Sequence, residues 1–326
     1  QHQQHQHQHQ HQHQPSTEEY QESFLKNLKK GGTYLTEYDR IGIVRVMKTA
    51  STTLIQTGFP STNIKPHECE CPSGRLTNTP NMFKISTPEN ACSCNDNQTY
   101  THHSAPHTPF NQVQYHYQNW KARALAFYEG SPEIQEKIQA SNAYYIALLR
   151  NPIDRAISEF FHVNNICPRN GWRVMFPPDL YKSICNLDFD AFLNHDNNPV
   201  FSRQIYFFYP NHLRGEWRSY VSGGLEEVKE NFSQLTMVLL NERLAESVNL
   251  FSRYFHLNRG NPDPASHIQN KNVHRKSALK LSLFANATIR ERMEEKMKED
   301  VELYRLAVSM FEKQKYFIEN YVDIEG

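Results

Sequence analysis

Three short apolar runs stand out against a polar background: Ile41–Val46, Ala143–Leu149 and Leu235–Leu240. Each is strand-sized and lacks the strict alternation of a half-solvated sheet, so each reads as a buried strand. Helical spacing surrounds them. Ser51 to Thr57 reads as the start of a helix and Ile134–Ala140 as a short one. After Pro152, a residue suited to a first helical turn, Ile153, Ile157, Phe160 and Phe161 form an apolar face. Leu244, Val248, Phe251 and Phe255 do the same after the third run. Met293, Met297, Val301, Tyr304, Val308 and Phe311 recur at steps of three and four, which predicts one long amphipathic C-terminal helix. Strand–helix units joined by long connections predict an α/β fold, a central parallel sheet flanked by helices.

Two regions break this pattern. Residues 60–120 are rich in Pro, Asn, Thr, Cys and His without a sustained period, and a loop that long is functional or stapled. A cysteine-containing insert is placed at residues 60–98. Residues 1–14 are only His and Gln and hold 6 of the 17 histidines. Such low-complexity sequence has no apolar surface to bury, so residues 1–33 read as a disordered stem. A weak metal-binding tail is the alternative reading of the tract. The folded domain is expected to start near Tyr34 and to run over residues 34–326 as a single unit.

Composition narrows the function. The 35 Lys+Arg against 35 Asp+Glu exclude a general nucleic-acid binder, whose affinity requires an excess of cations. The hydrophobic fraction of 38% is low because the stem and insert dilute an ordinary core. No apolar run approaches the roughly 20 residues that span a bilayer. The chain begins at Gln1 without a signal pattern, so the expectation is a piece of a longer protein whose anchor lies upstream.

Six cysteines (Cys69, Cys71, Cys92, Cys94, Cys167 and Cys185) and sequons at Asn97, Asn231 and Asn286 favour an oxidising secretory compartment. The two Cys-x-Cys pairs read as disulfides that clip the insert, since thiolate zinc sites more often use Cys-x2-Cys. Cys167 and Cys185 flank a second loop and read as partners.

The first strand runs into Lys48-Thr49-Ala50-Ser51-Thr52-Thr53. A strand, a tight turn of small and hydroxylated residues, and a helix start together make an anion site, with backbone N–H groups and a lysine facing the ligand. The glycines of a Walker loop are absent, which counts against a nucleotide-dependent kinase. The second unit is Arg150-Asn151-Pro152-Ile153-Asp154-Arg155, with Ser158 two turns into the following helix. Arg150 ends a buried strand, where an open parallel sheet receives its ligand, and an arginine with a hydroxyl suits a phosphate. The plain alternative is a surface salt bridge from Arg150 or Arg155 to Asp154.

Lys48–Thr53 resembles the 5′-phosphosulfate loop of the sulfotransferases, and Arg150–Arg155 with Ser158 resembles their 3′-phosphate motif. The first loop is similar to that of the uronosyl 2-O-sulfotransferases of heparan and dermatan sulfate. Ser158–Val163, the Cys167/Cys185 pair and Arg203-Gln204 resemble heparan sulfate 6-O-sulfotransferases. Val273-His274-Arg275-Lys276-Ser277 resembles a late basic loop that closes over the nucleotide, and Asp300, Leu303 and Tyr304 fall in a long C-terminal helix typical of these enzymes. The resemblance covers residues 40 to 315 without the insert.

What the resemblance implies is a P-loop-like fold and transfer of a sulfuryl group from 3′-phosphoadenosine 5′-phosphosulfate to a hydroxyl of an anionic, glycosaminoglycan-like glycan. Lys48, Ala50, Ser51, Thr52 and Thr53 would hold the 5′-phosphate, and Arg150, Ser158, Arg275 and Lys276 the 3′-phosphate. No metal is required. The base is expected to be His103, with His102 next and His107 third, because imidazole titrates near neutrality. Arg45 is a candidate contact for an anionic acceptor. The implied location is the Golgi lumen, with the membrane reached only through an upstream anchor. Protein tyrosine is a second acceptor class, and a non-catalytic glycan- or metal-binding protein on the same fold is a different reading.

Overall fold

The computed structural model describes residues 16–36, 39–46, 129–170, 178–196, 198–208, 225–257 and 278–322, together with short pieces at 69–70, 93–94, 102–103 and within 110–126. In chain order the elements are α1 (Thr17–Leu25), β1 (Arg40–Arg45), β2 (Cys69–Glu70), β3 (Ser93–Cys94), β4 (His102–His103), α2 (Pro132–Ala140), β5 (Ala143–Leu149) and α3 (Pro152–Ile166). They continue as α4 (Pro178–Ser183), α5 (Phe189–Asn194), α6 (Arg203–Tyr206), α7 (Leu225–Ser233), β6 (Met237–Leu240), α8 (Leu244–Tyr254), α9 (Ala278–Ala285), α10 (Ala287–Lys296) and α11 (Lys298–Tyr321).

The predicted α/β architecture is what the chain adopts. The central sheet has the order β4-β1-β5-β6, and every pairing in it is parallel. Arg45 lies level with Leu148, and Leu149 with Leu240, so the carboxyl ends of β1, β5 and β6 form one edge. All four residues of β6 are buried, as are Ile146–Leu149 of β5, which explains why the sequence shows runs rather than alternation. Val248 and Phe251 of α8, and Leu303, Ala307, Met310 and Phe311 of α11, complete this core.

A second apolar cluster surrounds α3, with Tyr181 of α4, Phe192 of α5, Leu283 of α9 and Met293 of α10. The Cys167–Cys185 disulfide ties the end of α3 to the segment after α4, as the spacing had indicated.

Three expectations are refined or corrected. The stem does not extend to residue 33. Ser16 and Glu19 form a capping box, and α1 buries Tyr20 and Phe24 as it packs against α7 and α11. The C-terminal stripe is not one helix, because the backbone breaks at Met297 (φ −115°, ψ 23°) between α10 and α11. The break lets one stripe serve two cores: Met293, Met297 and Val301 join the cluster around α3, and Leu303 onward joins the sheet core. Within the insert, β2 and β3 pair antiparallel with Cys69 opposite Cys94, which brings the two Cys-x-Cys segments side by side along the backbone. The helix expected over Ser51–Thr57 lies outside the described residues.

Candidate functional site

The site is built where β5 ends. Asn151 caps α3 by accepting from the N–H groups of Ile153 (3.1 Å) and Asp154 (3.2 Å), and Pro152 follows at the first helical position. The chain therefore turns sharply at Arg150–Asn151. Both backbone amides of that turn are tied to side chains from other elements. Arg150 N–H donates to Gln204 Oε1 (3.1 Å), and Asn151 N–H donates to Glu242 Oε1 (2.9 Å).

The Arg150 side chain is 21% exposed, with Nε 4.0 Å from Glu242 Oε1. Burial pushes its pKa down from the usual guanidinium value, and the Glu242 and Asp154 carboxylates oppose that. The group stays cationic, since an arginine does not lose its proton in a protein. A desolvated cation at the carboxyl edge of a parallel sheet suits a phosphate oxyanion better than a solvated one would.

The plain salt-bridge alternative fails for Arg155. That side chain is fully buried, pairs with Glu159 at 2.5 Å, and donates to the Val200 carbonyl. Glu159 also accepts from the Tyr181 hydroxyl, which in turn accepts from Arg203. Asp300 completes the network, 3.7 Å from Arg155, accepting from the N–H groups of Gln204 (3.1 Å) and Ile205 (2.8 Å). Burial raises the Asp300 pKa to about 6 against the opposing pull of Arg155 and these two amides. Asp154, meanwhile, pairs with Arg290 of α10 at 2.7 Å.

Ser158 is half-buried on α3, one turn beyond Asp154 and so on the same helix face. Helices α9 and α10 pack against α3. A cavity of about 370 Å³ opens between the start of α3, α10 and α11, bounded by Asn151, Pro152, Ile153, Arg290, Tyr304 and Arg305. Tyr304 donates its hydroxyl to Glu242 Oε2 at 2.8 Å, which joins the cavity wall to the Arg150 turn.

The histidine candidates His102 and His103 form β4, beside β1 and level with Ile41 and Gly42. That register places their backbone alongside the first half of β1, roughly 13 Å back along the strand from Val46 at about 3.3 Å per residue. Arg45 ends β1. Lys48, Ala50, Ser51, Thr52, Thr53, His107, Arg275 and Lys276 lie outside the described residues. Ala278, two positions after Lys276, begins α9.

Glu242, Tyr304 and Asp300 belong to the site's surroundings; the sequence resemblance places Asp300 and Tyr304 in the C-terminal helix but gives none of the three a role. A signal existed for one of them: Glu242 comes two positions after the third apolar run, close to where Arg150 stands after the second.

A half-buried arginine at the carboxyl edge of a parallel sheet, leading directly into a capped helix, lies where open α/β folds receive their ligands. Comparison with known families is more specific. The model of the sulfotransferase family matches residues 32–307, and the chain belongs to that family. No curated protein sequence matches it.

Proposed function

We propose that this sulfotransferase moves the sulfuryl group of 3′-phosphoadenosine 5′-phosphosulfate to a hydroxyl of an anionic, glycosaminoglycan-like glycan. The observation that carries the reading is Arg150: a desolvated guanidinium at the carboxyl end of β5, with Ser158 two turns along α3. In this reading Arg150 and Ser158 take the 3′-phosphate, joined by Arg275 and Lys276. Lys48 and the amides and hydroxyls of residues 50–53 take the 5′-phosphate and stabilise the charge that grows on it as the leaving group departs. The bond from sulfur to the 5′-phosphate oxygen breaks as the bond to the acceptor oxygen forms, and the acceptor proton passes to His103 or His102.

The Cys167–Cys185 disulfide supports an oxidising lumen as the working compartment, and the reading places the protein in the Golgi. The test is an acceptor screen with labelled donor across heparan, chondroitin, dermatan, galactan and a tyrosine peptide. Transfer to a glycan that disappears in Arg150→Ala is expected. Transfer to the peptide alone, or no binding of adenosine 3′,5′-bisphosphate, overturns the reading.

A further inference from the structure

We infer that α11 acts as a bracket that sets the position of Arg150, through two side chains one helical turn apart, Asp300 and Tyr304. The inference rests on the reading of Arg150 as a ligand of the 3′-phosphate. Two legs run from α11 to the turn. In the first, the Asp300 carboxylate accepts from the backbone of Gln204 and Ile205, and the Gln204 side chain then accepts from Arg150 N–H at 3.1 Å. In the second, the Tyr304 hydroxyl donates to Glu242 Oε2, and Glu242 Oε1 accepts from Asn151 N–H.

The two legs thus hold consecutive amides, Arg150 and Asn151, from one rigid element. Asp300 is wholly buried and Gln204 nearly so, so the first leg has little room to yield. Glu242 also stands beside the guanidinium, its Oε1 4.0 Å from Arg150 Nε, at the limit of an ion pair. Asp300, Tyr304, Gln204 and Glu242 are therefore positioning residues, acting on the nucleotide through Arg150.

The experiment is calorimetric titration of adenosine 3′,5′-bisphosphate and adenosine 5′-monophosphate into the full chain and its variants. Tyr304→Phe keeps the ring and removes the hydroxyl. It is expected to weaken bisphosphate binding about fivefold, the equivalent of one hydrogen bond, while the monophosphate binds as before. Glu242→Gln, nearly isosteric, is expected to do the same and decides the matter if Tyr304→Phe does not fold. Equal weakening of both nucleotides marks a merely structural role and overturns the bracket. So does unchanged bisphosphate affinity in these variants while Arg150→Ala loses it. If Arg150→Ala itself still prefers the bisphosphate as the parent does, the reading of Arg150 falls, and this inference falls with it.

Discussion

Gln314 of α11 lies along the outer side of β6 as a substitute strand: its Oε1 accepts from Val238 N–H at 2.9 Å and its Nε2 donates to the Val238 carbonyl at 3.1 Å. Ser247 does the same for Leu240, accepting from its N–H at 3.0 Å and donating to its carbonyl. Side chains therefore satisfy the edge that no further strand covers among the described residues. Gln314→Leu would leave a buried N–H and C=O without partners and is expected to cost about 2–4 kcal/mol, read as a lower denaturant midpoint. An unchanged midpoint would show that the pairing contributes nothing.

Arg150 and Arg155, five positions apart, should respond in opposite ways to truncation. Arg155→Ala strands Glu159 and Asp300 in a buried network and is expected to lose about 3–5 kcal/mol of stability. Arg150→Ala should keep the thermal midpoint within a few degrees yet lower kcat/KM with donor by more than about thirtyfold. Parallel melting and turnover measurements separate the two, and matching losses in both would refute the distinction.

The Asp300 carboxyl sets a pH dependence whose sign is fixed by the direction of its shift. Its folded pKa is raised from 3.8 to about 6, so the native state holds this proton more tightly than the unfolded chain. Its contribution is complete below pH 4 and is lost as the pH rises through 6, an effect on the order of 3 kcal/mol at most. The difference in unfolding free energy between the parent and Asp300→Asn should therefore shrink or reverse across pH 4 to 6. A difference that stays flat over that window would mean the carboxyl is not shifted.

Helix α1 is expected to be integral to the domain. Phe24 is fully buried, and Gln21 donates to Ser309 of α11 at 2.8 Å. Phe24→Ala should cost about 3–5 kcal/mol, the range for a large aromatic removed from a core. A chain that melts as the parent does would return residues 17–33 to the status of a stem.

Two of the sequons should behave differently in a secretory host. The Asn286 side chain is exposed at the start of α10, with its oxygen capping Ile289 N–H and its nitrogen pointing no hydrogen bond at the protein among those described. Asn231 instead commits its nitrogen to the Phe208 carbonyl at 2.8 Å. Glycopeptide mapping is expected to find glycan on Asn286 and not on Asn231, and the reverse would contradict the geometry.

The strands were legible because burial on both faces leaves an unbroken apolar run, and α3 was legible because Pro152 and its apolar face agree. Arg150 was legible from its place immediately after such a run. The break at Met297 was hidden because the three-and-four spacing continues straight through it. α1 was overlooked beside the His/Gln tract, although Ser16 with Glu19 and the spacing of Tyr20, Phe24 and Leu28 carry a helix signature. Apart from the place of Glu242 just after the third run, the props of Arg150 had no local signal. Asn151 meets Glu242 across 91 positions, Glu242 meets Tyr304 across 62, and Gln204 meets Asp300 across 96.

Those separations also govern how the protein is made. β1 and β5 are about a hundred residues apart, β6 lies nearly as far again beyond β5, and the edge of β6 waits for Gln314, 76 positions past Val238. Ribosomes add residues in order, so the Arg150 turn gains its direct props only once Gln204 and Glu242 are made, and those props gain their own anchors only with α11. Chains truncated before α11 should neither close the sheet nor bind nucleotide, and during synthesis the unpaired strands are the segments most in need of a chaperone.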